Sequence, residues 1–162
     1  MASSGKIVST DALVAGLETA RCAGRKIVFT NGCFDILHVG HVRYLEAARS
    51  EGDLLVVGLN SDSSVRSIKG DRRPLVNQDQ RAEVLASLAC VDYVVVFDES
   101  DPLRLIRAVK PDILVKGADW AEENIVGAEF VKSTGGKIMR VDLVSDASTT
   151  GIIDRILERF CR

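Results

Sequence analysis

Five short apolar stretches, each set between segments of helical periodicity, constrain the fold of this chain more than any other feature. They are Lys26–Thr30, Asp53–Asn60, Tyr93–Phe97, Ile113–Val115 and Lys137–Val141. The second carries Leu54, Leu55, Val56, Val57 and Leu59 almost without interruption. Such a run suits a strand of a parallel sheet covered on both faces. Between the strands the spacing predicts helices over Asp11–Ala23 (capped by Ser9 or Thr10), Val42–Ser50 (closing at Gly52) and Gln78–Ala89, the last with Val84, Leu85 and Leu88 facing inward. A further helix starts at Asp101-Pro102, where a first-turn proline loses no hydrogen bond. Glu122–Ser133 reads as a helix stopped by Gly135-Gly136, and Ser148 caps a last helix that runs to Phe160. The stretch Ser61–Asn77 reads as a polar, basic loop. Strands alternating with helices imply right-handed crossovers. The expected fold is α/β: a Rossmann-like, doubly wound, parallel five-stranded sheet with helices on both faces. It forms a single domain over 1–162, with the N-terminal helix at about 10–23 and the core at about 26–160.

A chain of 162 residues has room for one proper core. Its formal net charge of −2 argues against bulk nucleic-acid binding, which needs a basic face. No apolar run suggests a leader or a membrane span, so no membrane partner is expected. Cys22, Cys33, Cys90 and Cys161 form no CxxC pair and predict neither a zinc site nor a disulfide scaffold. Reduced thiols suit a cytoplasmic protein.

In doubly wound sheets ligands bind at the carboxyl ends of the strands. Four polar clusters fall there: Asn31–His41, Asn60–Arg73, Lys116–Trp120 and Ser145–Thr150. The first contains both histidines of the chain, His38 and His41, at a strand-to-helix junction. Backbone N–H groups and the helix dipole make such a junction an anion site. Neither a GxxxxGK(S/T) loop nor a GxGxxG turn is present, which argues against P-loop and ordinary dinucleotide chemistry. From the residues alone, His38 and His41 fit phosphate binding, a packed structural pair, or metal ligation with Cys33. Lys69–Arg73 fits a phosphate clamp or a solvated loop, and Arg81 a clamp or a surface charge. Ser148 and Thr149 fit helix caps in any case.

The run Gly32-Cys33-Phe34-Asp35-Ile36-Leu37-His38-Val39-Gly40-His41 resembles the HxGH signature of the cytidylyltransferase-like nucleotidyltransferases. Ser148-Thr149-Thr150 resembles that family's second signature, ISTT, with Ala147 at its first position. The resemblance extends from about Lys26 to Ile156. Within the family, Thr30–Asp35, Ile68–Pro74, Gln80-Arg81, Val115–Trp120 and Ser148–Thr150 are most similar to the branch that activates D-glycero-D-manno-heptose 1-phosphate. That branch also occurs as the C-terminal domain of a bifunctional heptose kinase/adenylyltransferase. The expectation here is the stand-alone form, since no kinase segment is present.

The resemblance implies attack of a sugar 1-phosphate oxygen on the α-phosphorus of a nucleoside triphosphate, most simply ATP, with loss of pyrophosphate. The attacking phosphate is already ionised near neutral pH. Alignment and charge stabilisation therefore carry the catalysis, each well-placed group contributing roughly 3–4 kcal/mol. The implied catalytic residues are His38 and His41 on the α- and β-phosphates, Lys69 as a clamp and Arg81 on the β/γ-phosphates. Nucleotide contacts are implied for Asn31, Gly32, Cys33, Phe34, Asp35, Gly40, Lys116, Gly117, Ser148, Thr149 and Thr150, with Asp119-Trp120 in base recognition. Asn60, Asp62, Lys69 and Arg73 would contact the acceptor. Mg²⁺ would bridge the triphosphate, with Asp35 as its ligand. Cys33 is expected to pack rather than to attack, and the family suggests a homodimer. Glycerol-phosphate cytidylyltransferases carry an arginine five residues before the ISTT serine; Leu143 stands there in this chain, beside Asp142, Ser145 and Asp146. That departure disfavours the alternative of CTP acting on glycerol 3-phosphate. Intact His38, His41, Lys69 and Arg81 disfavour a non-catalytic nucleotide-binding module.

Overall fold

The computed structural model describes residues 5–142, 144 and 147–161. Leu143, Ser145 and Asp146, which entered the reading above, lie outside the described residues. Five parallel strands form one sheet in the order β3-β2-β1-β4-β5. They are β1 (Ile27–Gly32), β2 (Leu54–Asn60), β3 (Tyr93–Phe97), β4 (Ile113–Gly117) and β5 (Lys137–Val141). The helices among the described residues are α1 (Thr10–Cys22), α2 (Val39–Arg49), α3 (Asp62–Lys69), α4 (Gln78–Ser87), α5 (Leu103–Val109), α6 (Ala128–Ser133) and α7 (Thr149–Phe160). The chain thus builds outward from β1 to β3, crosses back to β4 and continues to β5. No helix among the described residues is long and apolar enough to cross a membrane.

Each face of the sheet is sealed by its own core. Phe29, Val56, Val95 and Leu114 pack with Leu13 and Leu17 of α1, Leu105 and Ile106 of α5 and Val131 of α6. Val28, Leu55, Val57 and Val115 pack with Leu45 of α2 and Leu85 of α4. Alternation along the strands serves both cores at once, which is why these runs are apolar throughout. Aspartates set the register at the opposite edge from the cleft. Asp53, Asp92 and Asp112, each just before a strand, accept the backbone N–H of Lys26, Leu55 and Ile27 respectively, at 2.7–2.8 Å.

Several elements differ from the sequence reading, each for a local reason. α3 replaces part of the expected loop: Ser61 accepts the N–H of Ser64 as its N-cap, and Val65 is buried beneath it. Polar residues at most other positions of α3 hid the helix from periodicity. α2 begins three residues before the expected start, at Val39. On α4 the buried stripe is Arg81, Ala82, Leu85 and Ala86, so Val84 turns outward and is 46% exposed. The helix expected over Glu122–Ser133 is split into a 3₁₀ turn (Glu122–Asn124) and α6. Gly127 causes the break: its φ of +86° is left-handed, and a Cβ there would meet Ile106 Cδ1 at 2.7 Å. Gly127→Val should therefore cost about 2–3 kcal/mol through strain and overpacking, read as a lowered urea midpoint at unchanged m-value.

Candidate active site

The order of strands reverses between β1 and β4, so the crossovers leave in opposite directions and a crevice opens above their carboxyl ends. A cleft of about 720 Å³ occupies that position. Both signature runs line it. Asn31 to Asp35, His38, Gly40 and His41 come from the segment after β1, Asn60 from β2 and Lys69 and Arg73 from the α3 side. Lys116, Gly117, Asp119 and Trp120 follow β4, and Ser148, Thr149 and Thr150 open α7. Asp62 and Arg81 are the two expected site residues that do not line it.

His38 is the N-cap residue of α2 and His41 lies in its first turn. Their rings stack with centroids 3.9 Å apart, and Phe34 closes the other side of His41 at 5.2 Å. Gly40 makes this possible. A Cβ there would meet His38 Nδ1 at 3.0 Å and Ala147 Cβ at 3.2 Å. The same contact brings the two separated signatures together, since Ala147 stands directly before Ser148. Burial pushes the His38 pKa down; burial, helped by the neighbouring His38, pushes that of His41 down to about 4. Both rings are thus neutral near pH 7, and among the described residues the buried Nδ1 atoms of both have no hydrogen-bond partner. An anion in the cleft would supply what is missing: a partner for the rings and a charge that favours their protonated form.

Ser148 resolves a competition posed by the sequence. Its Oγ accepts the N–H of Gly151 at 3.0 Å as the N-cap of α7. A hydroxyl both accepts and donates, so its proton stays available to a ligand in the cleft. Two helix N-termini, those of α2 and α7, therefore converge on the same space.

Asp35 and Arg81 have roles other than those expected. The Asp35 carboxylate accepts the N–H groups of Leu75 and Val76 at 2.8 and 2.9 Å and the Arg73 guanidinium at 2.5 Å. Its side chain is fully buried. Burial alone would raise its pKa, but the bonds from Val76, Leu75 and Arg73 outweigh that and hold it below the usual carboxylate range. An oxygen pair so occupied does not fit a Mg²⁺ ligand. Among the described residues no group of three histidines, cysteines or carboxylates could hold a metal. Arg81 is buried and turned away from the cleft. Its guanidinium donates to the carbonyl oxygens of Val76, Cys33 and Asn60 at 2.6–2.8 Å and pairs with Asp62 at 2.7 Å. The carboxylate of Asp62 is thereby committed to Arg81 rather than to a ligand. Both corrections have one cause: a strongly polar residue beside a phosphate site reads as a ligand in sequence, although the loops around the site need charge to hold them.

The cleft also includes residues that were not among the expected site residues. Tyr44 bonds Thr30 Oγ1 at 2.7 Å and the Val115 carbonyl at 3.0 Å, and burial pushes its phenol up to about 12. Ile68, Ser100, Asp101, Pro102, Ile125, Val126, Val144 and Ala147 complete the walls. Ser100–Pro102 follow β3, so the carboxyl-end rule applied to that strand was the available signal. Cys33 is half-buried and burial raises its thiol pKa, the opposite of an activated nucleophile.

A parallel sheet with two helix N-termini and a stacked imidazole pair at its switch point defines an α/β protein built to handle phosphates. The profile of the cytidylyltransferase-like family matches residues 29–154, and the chain belongs to that family. It is 54% identical over 158 residues to the bifunctional protein HldE of Pelobacter propionicus, covering 98% of this chain and 32% of that one. It is 56% identical over 155 residues to the HldE of Syntrophotalea carbinolica, covering 96% and 32%. The chain thus spans about a third of the length of these relatives. Among solved structures, the lipopolysaccharide core biosynthesis protein of Thermoplasma volcanium superimposes with a TM-score of 0.61 at 30% identity, covering 75% of this chain and 98% of that one. Pantoate-β-alanine ligase from Francisella tularensis shares the fold, with a TM-score of 0.58 at 18% identity, covering 96% of this chain and 79% of that one.

Two outcomes test this geometry. Arg81→Met should destabilise the chain by about 3–5 kcal/mol, because a buried pair loses one partner; a residue that only touched substrate would lower turnover and leave the urea midpoint in place. The ring protons of His41 should titrate near pH 4 in the free protein and move upward when pyrophosphate is added. In the unfolded chain His41 binds its proton at the ordinary value of 6.5, so its stabilising contribution is complete above that pH. The contribution is lost as pH falls from 6.5 toward 4.

Proposed function

We propose that this chain transfers the adenylyl group of ATP to D-glycero-D-manno-heptose 1-phosphate, giving ADP-heptose and pyrophosphate for a surface glycan such as lipopolysaccharide. A phosphate oxygen of the sugar forms a bond to the α-phosphorus. The bond between that phosphorus and the α–β bridging oxygen breaks, and pyrophosphate leaves with the electron pair. The observation that carries the reading is the stacked pair His38–His41, 3.9 Å apart and without partners for its buried nitrogens, beside the N-terminus of α7. Such a cradle holds charge that builds up as pyrophosphate departs. Lys69 and Arg73 add positive charge on the α3 side of the same cleft. The resemblance to the heptose branch at Ile68–Pro74 and Val115–Trp120 supports this acceptor, and in this reading Trp120, half exposed and lining the cleft, stacks on the base.

Mg²⁺ belongs to this reading as an ion that would come with the triphosphate and neutralise part of its charge; the occupied Asp35 carboxylate is left out as its ligand, and the residues named here act without it as intermediary. The setting proposed is the cytoplasm, where the four free cysteines stay reduced. A homodimer is the proposed assembly, with Val84 on α4 and Ile156, Leu157 and Phe160 on α7 supplying exposed apolar surface.

Pyrophosphate release should be measured for ATP, CTP, GTP and UTP against heptose 1-phosphate anomers, glycerol 3-phosphate and phosphoethanolamine. The expected result is release with ATP and a heptose 1-phosphate only. His41→Ala should lower kcat about 10²–10³-fold, as loss of one preorganised charge stabiliser does. Release with CTP and glycerol 3-phosphate would overturn the assignment of both substrates. Nucleotide binding without release from any pair would overturn the transfer itself.

A further inference from the structure

Side chains at the ends of β1 and β4 divide the cleft into two sides, because successive strand residues point to opposite faces. Val28 and Val115 belong to the core under α2, whereas Phe29 and Leu114 belong to the core under α1, α5 and α6. Asn31 and Lys116 continue the second set. They rise on the α5–α6 side, while His38 and His41 stand on α2 across the sheet edge.

Lys116 is an unusual lysine. Its Nζ donates to Asn31 Oδ1 at 2.5 Å, which uses one of three donors. Among the described residues no carboxylate pairs with it, and burial without a compensating charge pushes its pKa down to about 8. Its side chain is half-buried, and an ammonium held back from bulk water is ordinarily paired. The space around it is walled by Pro102 at the start of α5 and by Ile125 and Val126, with Ser100 and Asp101 exposed at the rim. Gly58 keeps the floor low: a Cβ there would meet Phe29 Cζ at 2.9 Å and Asn31 Cβ at 3.2 Å.

In-line displacement places the attacking and leaving oxygens on opposite sides of the phosphorus. With pyrophosphate leaving toward the histidines and α7, the attacker must enter from the α5–α6 side. We propose that this side of the cleft is the acceptor subsite, where Lys116 turns from Asn31 to the phosphate of the sugar 1-phosphate and Ser100 and Asp101 meet the sugar hydroxyls. The proposal rests on the nucleotidyl-transfer reading for its choice of ligand, but its test does not need turnover.

Charge at Lys116 then decides acceptor affinity. Among the described residues its neighbours are neutral Asn31 from β1 and, opposite it on β5, the exposed Arg140, while the exposed Asp119 after β4 and Asp101 before α5 line the same cleft. No carboxylate among the described residues pairs with it to hold its proton as pH rises. Calorimetry on the full-length chain should compare wild type, Lys116→Met and Lys116→Arg. The ligands are D-glycero-D-manno-heptose 1-phosphate, measured with a non-hydrolysable ATP analogue present, and the analogue alone. Lys116→Met should weaken sugar-phosphate binding about 10- to 100-fold, as loss of a charged hydrogen bond does, and, in place of the nucleotide contact that the family resemblance implies for Lys116, leave binding of the analogue within about twofold. Wild-type affinity for the sugar phosphate should fall above about pH 8, and Lys116→Arg, which stays charged, should lose that dependence. Weakened binding of the ATP analogue would overturn the proposal by placing Lys116 on the triphosphate. Unchanged sugar-phosphate binding in Lys116→Met, or none in wild type, would also overturn it. Normal wild-type binding with the expected loss in Lys116→Met, but no pyrophosphate release, would sustain the subsite and sink the transfer reading instead.

Discussion

The geometry of the cleft depends on a guanidinium that never enters it. Arg81 collects the carbonyl oxygens of Cys33, Asn60 and Val76 together with the carboxylate of Asp62. Those acceptors come from the segment after β1, the end of β2, the start of α3 and the loop before α4. Each is a point where the chain leaves regular hydrogen bonding and would otherwise bury unsatisfied carbonyls. One planar group with five donors answers all of them, a pattern that the point charge of lysine could not reproduce. Asp35 does the complementary task with backbone N–H groups, drawing Leu75 and Val76 against the β1 segment while Arg73 neutralises it. Arg73 is thereby held at the cleft on a tethered loop, shortly after Lys69 at the end of α3, so less order would have to be acquired on binding an anion.

The sheet makes a related demand. Its strands are covered by two cores, so polar groups can appear only where strands end. At the amino ends aspartates cap neighbouring backbone N–H groups and fix the register. At the carboxyl ends the polar residues are left for ligands, and the reversal of strand order between β1 and β4 opens the space they face. The same alternation that seals the two cores turns Lys116 to the side of α5 and α6, while α2, packed over the other core, carries His38 and His41. In the proposed transfer, the placement of opposed groups would thus be a by-product of parallel strand geometry.

Much of this was legible in the sequence, because apolar runs of strand length and two spaced signatures are local signals. All five strands and the helices α1, α4, α5 and α7 fall close to where periodicity puts them. α3 was hidden by its serines and arginine, which suit a loop equally well and become helical only once Ser61 caps Ser64 and Val65 finds the core. The break at Gly127 was hidden because its cause, Ile106, lies far away in the chain. For the site, residue type revealed which segments meet but not which side chains face inward. Arg81 and Asp62 differ from Lys69 and Arg73 in orientation alone, and orientation is set by partners distant in sequence. Lys116 and Asn31, adjacent in space and 85 positions apart, could not be read as a pair at all.

The stacked histidines show how such a site avoids binding its ligand by bulk charge. Two imidazolium rings at this separation would repel each other, and burial opposes charging either one. The free cleft therefore stays neutral at its centre, consistent with a chain whose net charge is only −2. In the proposed transfer, charge on the rings would become favourable when a phosphate arrives, and more so as negative charge grows on the leaving oxygen. An interaction that strengthens along the reaction lowers the barrier, whereas one equally strong in the ground state would only tighten binding. Depressed histidine pKa values are thus not a defect of the cradle. In the proposed transfer they would keep electrostatic stabilisation in reserve for the step at which pyrophosphate departs.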